Sequence, residues 1–187
     1  IHSDEQVAGW LAVADAVHGA GGRIVMQLMH CGRASVAANK DAGAETVAPS
    51  AVPSADPIPG PDGIPVAPDL PRALQTGESA GIVSEYAQAG RNARRAGMDG
   101  VELHCASGYL PNQFLNRHSN QRSDHYGGPV ENRIRFAIEV LTAMSQAIGA
   151  DRVGFRISPG NPYNDMMDED PKASFGPLLR AADTLGL

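Results

Sequence analysis

His104, Ser107 and Tyr109 lie within one six-residue stretch, with Gly108 allowing a tight turn between the last two. An imidazole, a hydroxyl and a phenol held together can all donate hydrogen bonds to one electron-rich ligand, and a phenol also carries a transferable proton. Two further polar side chains occupy comparable places at the ends of apolar runs. Gln27 offers an amide that both donates and accepts, and Arg156 offers a fixed positive charge. Such a set suits the polar edge of a heterocyclic ring. Metal chemistry is poorly supplied: His2, His18, His30, His104, His118 and His125 form no His-x-His or His-x-x-x-His ligand pair, and Cys31 and Cys105 form no Cys-x-x-Cys.

The elements that must position these groups alternate between helix and strand. Ser3-Asp-Glu-Gln6 reads as a capping box, followed by Val7, Trp10, Leu11, Ala14 and Val17 on one helical face and Gly21-Gly22 as a stop. Arg23 to Leu28 then reads as a buried strand. A second helix carries Val83, Tyr86, Ala87, Gly90 and Ala93, stops at Gly97, and leads into the strand Gly100-Val-Glu-Leu-His104. A third places Ile134, Ala137, Ile138, Leu141, Met144 and Ile148 on one face before the strand Val153-Gly-Phe-Arg-Ile157, and Gly176 to Leu185 reads as a last helix. Residues 29 to about 80 hold most of the 14 prolines and read as a loop excursion over an active-site mouth.

This alternation implies parallel strands joined by crossover helices, with reactive groups collected at the carboxyl ends of the strands. Gln27, His104 and Arg156 fall there, provided that the strand phase is right, since a one-residue slip would turn Gln27 and Arg156 toward the helices. No Gly-x-Gly-x-x-Gly follows any strand, which disfavours a dinucleotide-binding sheet. Three strands cannot close an eight-stranded barrel, so the chain reads as one partial domain, residues 1–187, from the middle of a (β/α)8 barrel. Other residues read as bland. Tyr109 taken alone would be a loop anchor, His30 and Arg33 mainly structural, Arg94-Arg95 a solvated helix face, and Asp165, Asp168, Glu169 and Asp170 an exposed acidic loop.

The composition bounds the partners. A chain of 187 residues with 42% hydrophobic and 19% charged residues supports one sizeable core, and a formal net charge of −6 argues against general binding to nucleic acid or an anionic membrane. No apolar run approaches the ~20 residues of a membrane-spanning helix. Two cysteines are too few for a disulfide scaffold, which makes the cytoplasm the expected compartment. The oligomeric state is left open.

Seven segments occur in an order and spacing that identify a family. Gln27-Leu-Met-His-Cys-Gly-Arg-Ala-Ser35, Gly100-Val-Glu-Leu-His-Cys-Ala-Ser-Gly-Tyr-Leu110, Gln113-Phe-Leu115, Ser119-Asn-Gln-Arg122, Tyr126-Gly-Gly128, Glu131-Asn-Arg133 and Val153-Gly-Phe-Arg-Ile-Ser-Pro159 together resemble the old yellow enzyme family of FMN-dependent ene-reductases. The resemblance runs through essentially the whole chain and corresponds to roughly the third to fifth strands of the family's (β/α)8 barrel. It implies FMN as cofactor, NADPH or NADH as reductant, and a small activated alkene as substrate.

By the same resemblance, Gln27 would hydrogen-bond the polar edge of the flavin, and Arg156 would lie beside its N1/C2 carbonyl region, favouring the reduced, anionic form. His104 and Ser107 would grip the carbonyl or nitro oxygen of the alkene, while hydride passes from flavin N5 to the β-carbon and Tyr109 protonates the α-carbon. The scheme is ping-pong. Two positions depart from the family pattern: Ser107 stands where Asn or His is usual, and Met29, a substrate-wall position, stands where the pattern has Trp. Ser107 reaches less far than either usual side chain, and Met29 makes a more adaptable wall.

Other readings stay open. A relative that adds an iron–sulfur cluster, such as a dienoyl-CoA reductase, would need a cysteine cluster not seen here. A metal-dependent barrel hydrolase would need ligand pairs that the histidines do not form. A non-catalytic remnant of a flavin barrel would have open strand edges and would lack support for the cofactor phosphate.

Overall fold

The computed structural model describes residues 1–187. Its centre is a parallel sheet of three strands, β1 (Val25–Leu28), β6 (Gly100–His104) and β7 (Val153–Arg156), in the order β1-β6-β7. Four very short strands lie between the first two: β2 (Val47–Ala48), β3 (Ile58–Pro59), β4 (Pro65–Val66) and β5 (Arg72–Ala73). Register places Gln27 beside Glu102, and His104 beside Arg156. The helices are α1 (Asp4–Gly19), α2 (Glu78–Arg95), α3 (Leu110–Leu115), α4 (Val130–Arg133), α5 (Arg135–Ile148) and α6 (Pro171–Asp183). None is long and apolar enough to cross a membrane.

The strand alternation decides which face is dry. Met26 and Leu28 of β1, Val101 and Leu103 of β6, and Val153 of β7 are buried. They join one core with Met98, Phe114, Phe136, Val140, Leu141, Met144 and Leu178, in which the rings of Phe114 and Phe136 stack at 4.3 Å. Helices α2 and α5 pack on each other and against the strands on this side. Residues of the opposite phase, Gln27, Glu102, His104 and Arg156, therefore share the other face. The phase that the functional reading requires is the one adopted.

The N-terminal capping box forms as its sequence implies, with the Ser3 hydroxyl accepting from the Gln6 N–H and the Gln6 side chain accepting from the Ser3 N–H. The helical face assigned from periodicity is only partly buried. Val7 and Ala14 are covered, whereas Trp10 and Leu11 are 44% and 41% exposed. The reason is local: Trp10 looks onto an open cavity beside β1 and has no facing layer. Two boundaries also differ from their expected places. Strand β1 begins at Val25, not Arg23, and α6 starts at Pro171, not Gly176. Asp170 explains the second shift, because its carboxylate accepts from the Ala173 N–H at 3.0 Å with Pro171 at the first helical position.

The stretch from 29 to about 80 is more ordered than a bare loop. Strands β2 and β5 pair in parallel, β3 and β4 form a small antiparallel pair, and Ala37–Asn39 makes a 3-10 turn. Arg33, fully buried, clasps it to the far end of the chain. Its guanidinium donates to the carbonyls of Pro53 (3.1 Å) and Asp165 (2.8 Å) and pairs with the Asp165 carboxylate at 3.2 Å. Asp165 is thus no part of an exposed acidic loop, because it neutralises a buried cation. The Arg94-Arg95 pair is also tied: Arg94 donates to the Met98 carbonyl, and Arg95 pairs with Asp4 at 2.8 Å.

Candidate active site

The open sheet face presents a line of polar side chains across all three long strands. Glu102 on the central strand is the hub. Its Oε1 accepts from Gln27 Nε2 at 2.6 Å and from Arg156 Nε at 2.9 Å, and its Oε2 accepts from Arg156 Nη2 at 3.4 Å. Partial burial alone would raise the Glu102 pKa. The hydrogen bonds from Gln27 and Arg156 outweigh burial and hold the carboxyl below the usual carboxylate range. Glu102 was not among the residues singled out from sequence, although it shares the phase of His104 two residues on. Strict alternation in Val-Glu-Leu-His is the signal that would have found it.

His104 closes β6 and is 8% exposed, yet its Nδ1 has no hydrogen-bond partner within the chain. Burial lowers its pKa, and the positive charge of Arg156 adds to this against the opposing effect of Glu102. At neutral pH the ring is an uncharged hydrogen bonder. Tyr109 packs against it, with ring centroids 4.8 Å apart and the planes inclined by 51°. Burial raises the phenol pKa, so the hydroxyl keeps its proton.

The turn joining these two rings is held by strained backbone and by clasps from neighbouring loops. Ser107 and Gly108 both adopt left-handed conformations, with φ of 53° and 74°. The Ser107 N–H donates to the Ser158 hydroxyl at 2.7 Å, and its carbonyl accepts from Asn164 Nδ2 at 2.8 Å. Gly108 is required by close approach: a Cβ there would stand 2.5 Å from that of Asn164. Tyr109 then caps α3, where the Asn112 side chain accepts from the Gly108 N–H at 2.9 Å.

Gln113, fully buried on α3, ties this turn to the loop after β1. It donates to the carbonyls of Gly108 (2.6 Å) and Cys31 (3.0 Å) and accepts from the Arg33 N–H (3.1 Å). Gly32 opposite has φ of 58°, and a side chain there would collide with the Gln113 amide. His30, read as structural, accepts from the Gly32 N–H at 3.0 Å. Several motif residues further along are likewise scaffolding. Asn120 donates to the carbonyls of Phe114 and Tyr126, Arg133 to that of Leu115, and Arg122 to that of Pro49.

The structure thus brings Gln27, His104, Tyr109 and Arg156 to one face and the turn above it. Met29 stands just beyond β1 and is 49% exposed. With Gln27 and His30 it lines the cavity of about 740 Å³ along the free side of β1, whose remaining walls include Trp10, Ile82 and Tyr86. His104, Tyr109 and Arg156 do not line that cavity; they lie on or above the open sheet face. No group of three or more His, Cys, Asp or Glu side chains is placed to hold a metal ion.

The parallel strands with their helices on one side suit a segment of a (β/α)8 barrel, and comparison with known proteins agrees. Residues 1–182 match the model of the NADH:flavin oxidoreductase / NADH oxidase family. A probable flavin mononucleotide-dependent alkene reductase of Leishmania infantum is 50% identical over 92% of this chain and 48% of its own length. Among solved structures, the old yellow enzyme homologue from Zymomonas mobilis superposes with a TM-score of 0.94 at 38% identity, covering 99% of this chain and 51% of that one. Morphinone reductase gives 0.94 at 42% identity, covering 100% and 51%.

The chain belongs to the NADH:flavin oxidoreductase family, the old yellow enzymes. It spans about half the length of the relatives it matches. FMN with a reduced nicotinamide is the cofactor pair of that family.

Proposed function

We propose that this chain supplies the flavin-facing and substrate-facing strands of an FMN-dependent ene-reductase, which reduces the activated C=C bond of α,β-unsaturated carbonyl or nitro compounds with NADPH or NADH. Residues 1–187 act in it as one partial barrel domain, in the cytoplasm. The observation that carries this reading is the gathering of Gln27, His104, Arg156 and the Tyr109 turn on the sheet face left free by the helices.

The residues present fit FMN. The pyrimidine edge of a flavin offers carbonyl oxygens and an imide N–H, and the Gln27 amide with the Arg156 guanidinium provides an acceptor and several donors on one open face. Gln27 and Arg156 would hold that edge, and FMN when bound supplies the hydride. His104 and Ser107 would donate to the oxygen of the activating group. The unpartnered Nδ1 of His104 supports a role toward a ligand, since a buried ring nitrogen without a partner is costly. In Ser107, only the backbone is engaged in hydrogen bonds. Met29 forms part of the wall facing the substrate.

Tyr109 holds the proton for the α-carbon. Its raised pKa keeps that proton in place at neutral pH until charge develops on the substrate carbon. The test is an anaerobic double-mixing experiment on the FMN-loaded protein. NADPH should bleach the visible flavin band, and a cyclic enone should restore it while its double bond is saturated. Recovery no faster with the enone than with an unactivated alkene would contradict the proposal.

A further inference from the structure

Glu102 makes its three side-chain hydrogen bonds to the two residues that flank it. Ionised, a carboxylate accepts and never donates. The 2.6 Å contact therefore fixes the Gln27 amide with Nε2 toward Glu102 and Oε1 turned away from it. Arg156 likewise gives its Nε hydrogen and one Nη2 hydrogen to the same carboxylate, leaving the Nη1 pair and the other Nη2 hydrogen free. One side chain thus sets the free hydrogen-bonding pattern of two others, on strands to either side of it. The face then shows one acceptor on the β1 side and several donors on the β7 side. Partial burial, with 28% of the Glu102 side chain exposed, strengthens both contacts relative to water.

We propose that Glu102 is a positioning residue: it locks Gln27 and Arg156 into the acceptor-and-donor pattern that reads the polar edge of the flavin, and its negative charge moderates the pull of Arg156 on the reduced cofactor. The inference rests on the flavin reading above and assigns a role to a residue that touches neither substrate nor reacting atoms. Two consequences follow from the chemistry. An amide at position 102 carries its own donor, which satisfies Gln27 only if the Gln27 amide turns over, presenting N–H where Oε1 had been. Removing the carboxylate charge also leaves Arg156 uncompensated, which favours the anionic reduced flavin over the neutral oxidised one.

The experiment compares the wild-type chain, Glu102→Gln and Glu102→Asp by FMN titration, by redox titration of the bound flavin and by thermal melting. For Glu102→Gln, affinity for oxidised FMN should fall about tenfold, in the range seen when residues that orient ligand-holding groups are lost. The ratio of reduced to oxidised flavin affinity should rise about tenfold, which for a two-electron couple is an upward shift of about 30 mV. Glu102→Asp keeps the charge but retracts it, so the potential should stay at the wild-type value while affinity weakens. A purely structural role would lower the melting temperature and leave the potential unchanged in both variants, which would overturn the inference. So would Glu102→Gln binding FMN with wild-type affinity and potential. Failure of the wild-type chain itself to bind FMN would overturn the flavin reading and this inference with it, and that result is distinct from the other two.

Discussion

The rings of His104 and Tyr109 lie 4.8 Å apart and 51° from parallel, although one closes a strand and the other caps a helix. Two consecutive left-handed residues, Ser107 and Gly108, fold the chain back sharply enough to bring them together. Burial drives the imidazole toward its neutral form and the phenol toward its protonated form, so near pH 7 the two side chains present hydrogen-bonding groups with no net charge. An oxygen acceptor and a carbon awaiting a proton can then be served from adjacent positions.

Replacing Tyr109 with Phe removes the proton and leaves the ring packing against His104. Alkene reduction by the FMN-loaded protein should slow by about 10²–10⁴-fold, the usual worth of a positioned acid. Flavin reduction by NADPH should stay within about twofold, because the proton is needed only in the second half-reaction. Stopped-flow measurement of the two halves separates them. Equal loss in both would remove Tyr109 from the role of proton donor.

Ser107 pays for its position, since a left-handed conformation costs a residue with a Cβ roughly 1–2 kcal/mol. Ser107→Gly should therefore raise the unfolding free energy by up to about 1 kcal/mol while weakening the binding of enone analogues. Asn tolerates this conformation better than most residues and reaches further with its amide. Ser107→Asn should keep stability at or above the wild-type level and tighten those analogues. Denaturant titration and ligand titration on the three proteins check both claims.

The loop beyond α3 depends on Asp124. Its carboxylate accepts from Arg122 at 2.6 and 3.0 Å and from the Tyr126 N–H at 3.1 Å. The Arg122 guanidinium, with further help from Thr76, holds the Asp124 carboxyl far below its ordinary value of 3.8 against the effect of burial. A depressed carboxylate pKa stabilises the folded state above the unfolded value and loses that contribution as pH falls through the folded value. Stability should thus be intact at pH 5 and should decline steadily below about pH 4. Asp124→Asn should lower stability at pH 7 by about 1–3 kcal/mol and flatten part of the acid limb, as followed by circular dichroism.

How much of this was legible in the sequence varies by element. Strand β6 matches its expected span from Gly100 to His104, because alternating apolar residues between a helix stop and a glycine-containing turn leave one assignment. The phase of Gln27 and Arg156 could not be read from their own short runs; the dry face formed by Met26, Leu28, Val101 and Leu103 settles it. The motif segments marked the family correctly, yet many of their residues prove to be clasps. Gln113 and Arg133 are buried and bonded to backbone carbonyls, which no local pattern distinguishes from a ligand contact. Arg33 and Asp165 are 132 residues apart in sequence, and a buried pair at that separation leaves no periodic trace. Glu102 was readable from its phase alone, but its bonding to two flanking strands was not.

The central claim is that the open sheet face holds FMN through Gln27 and Arg156. The most direct test is the visible absorbance of the chain after incubation with excess FMN and gel filtration, run beside Arg156→Met. Wild-type protein should elute yellow, and the variant, which lacks the donors facing the flavin edge, should retain at most about a tenth as much flavin. A colourless wild-type peak, or equal colour in both, would contradict it.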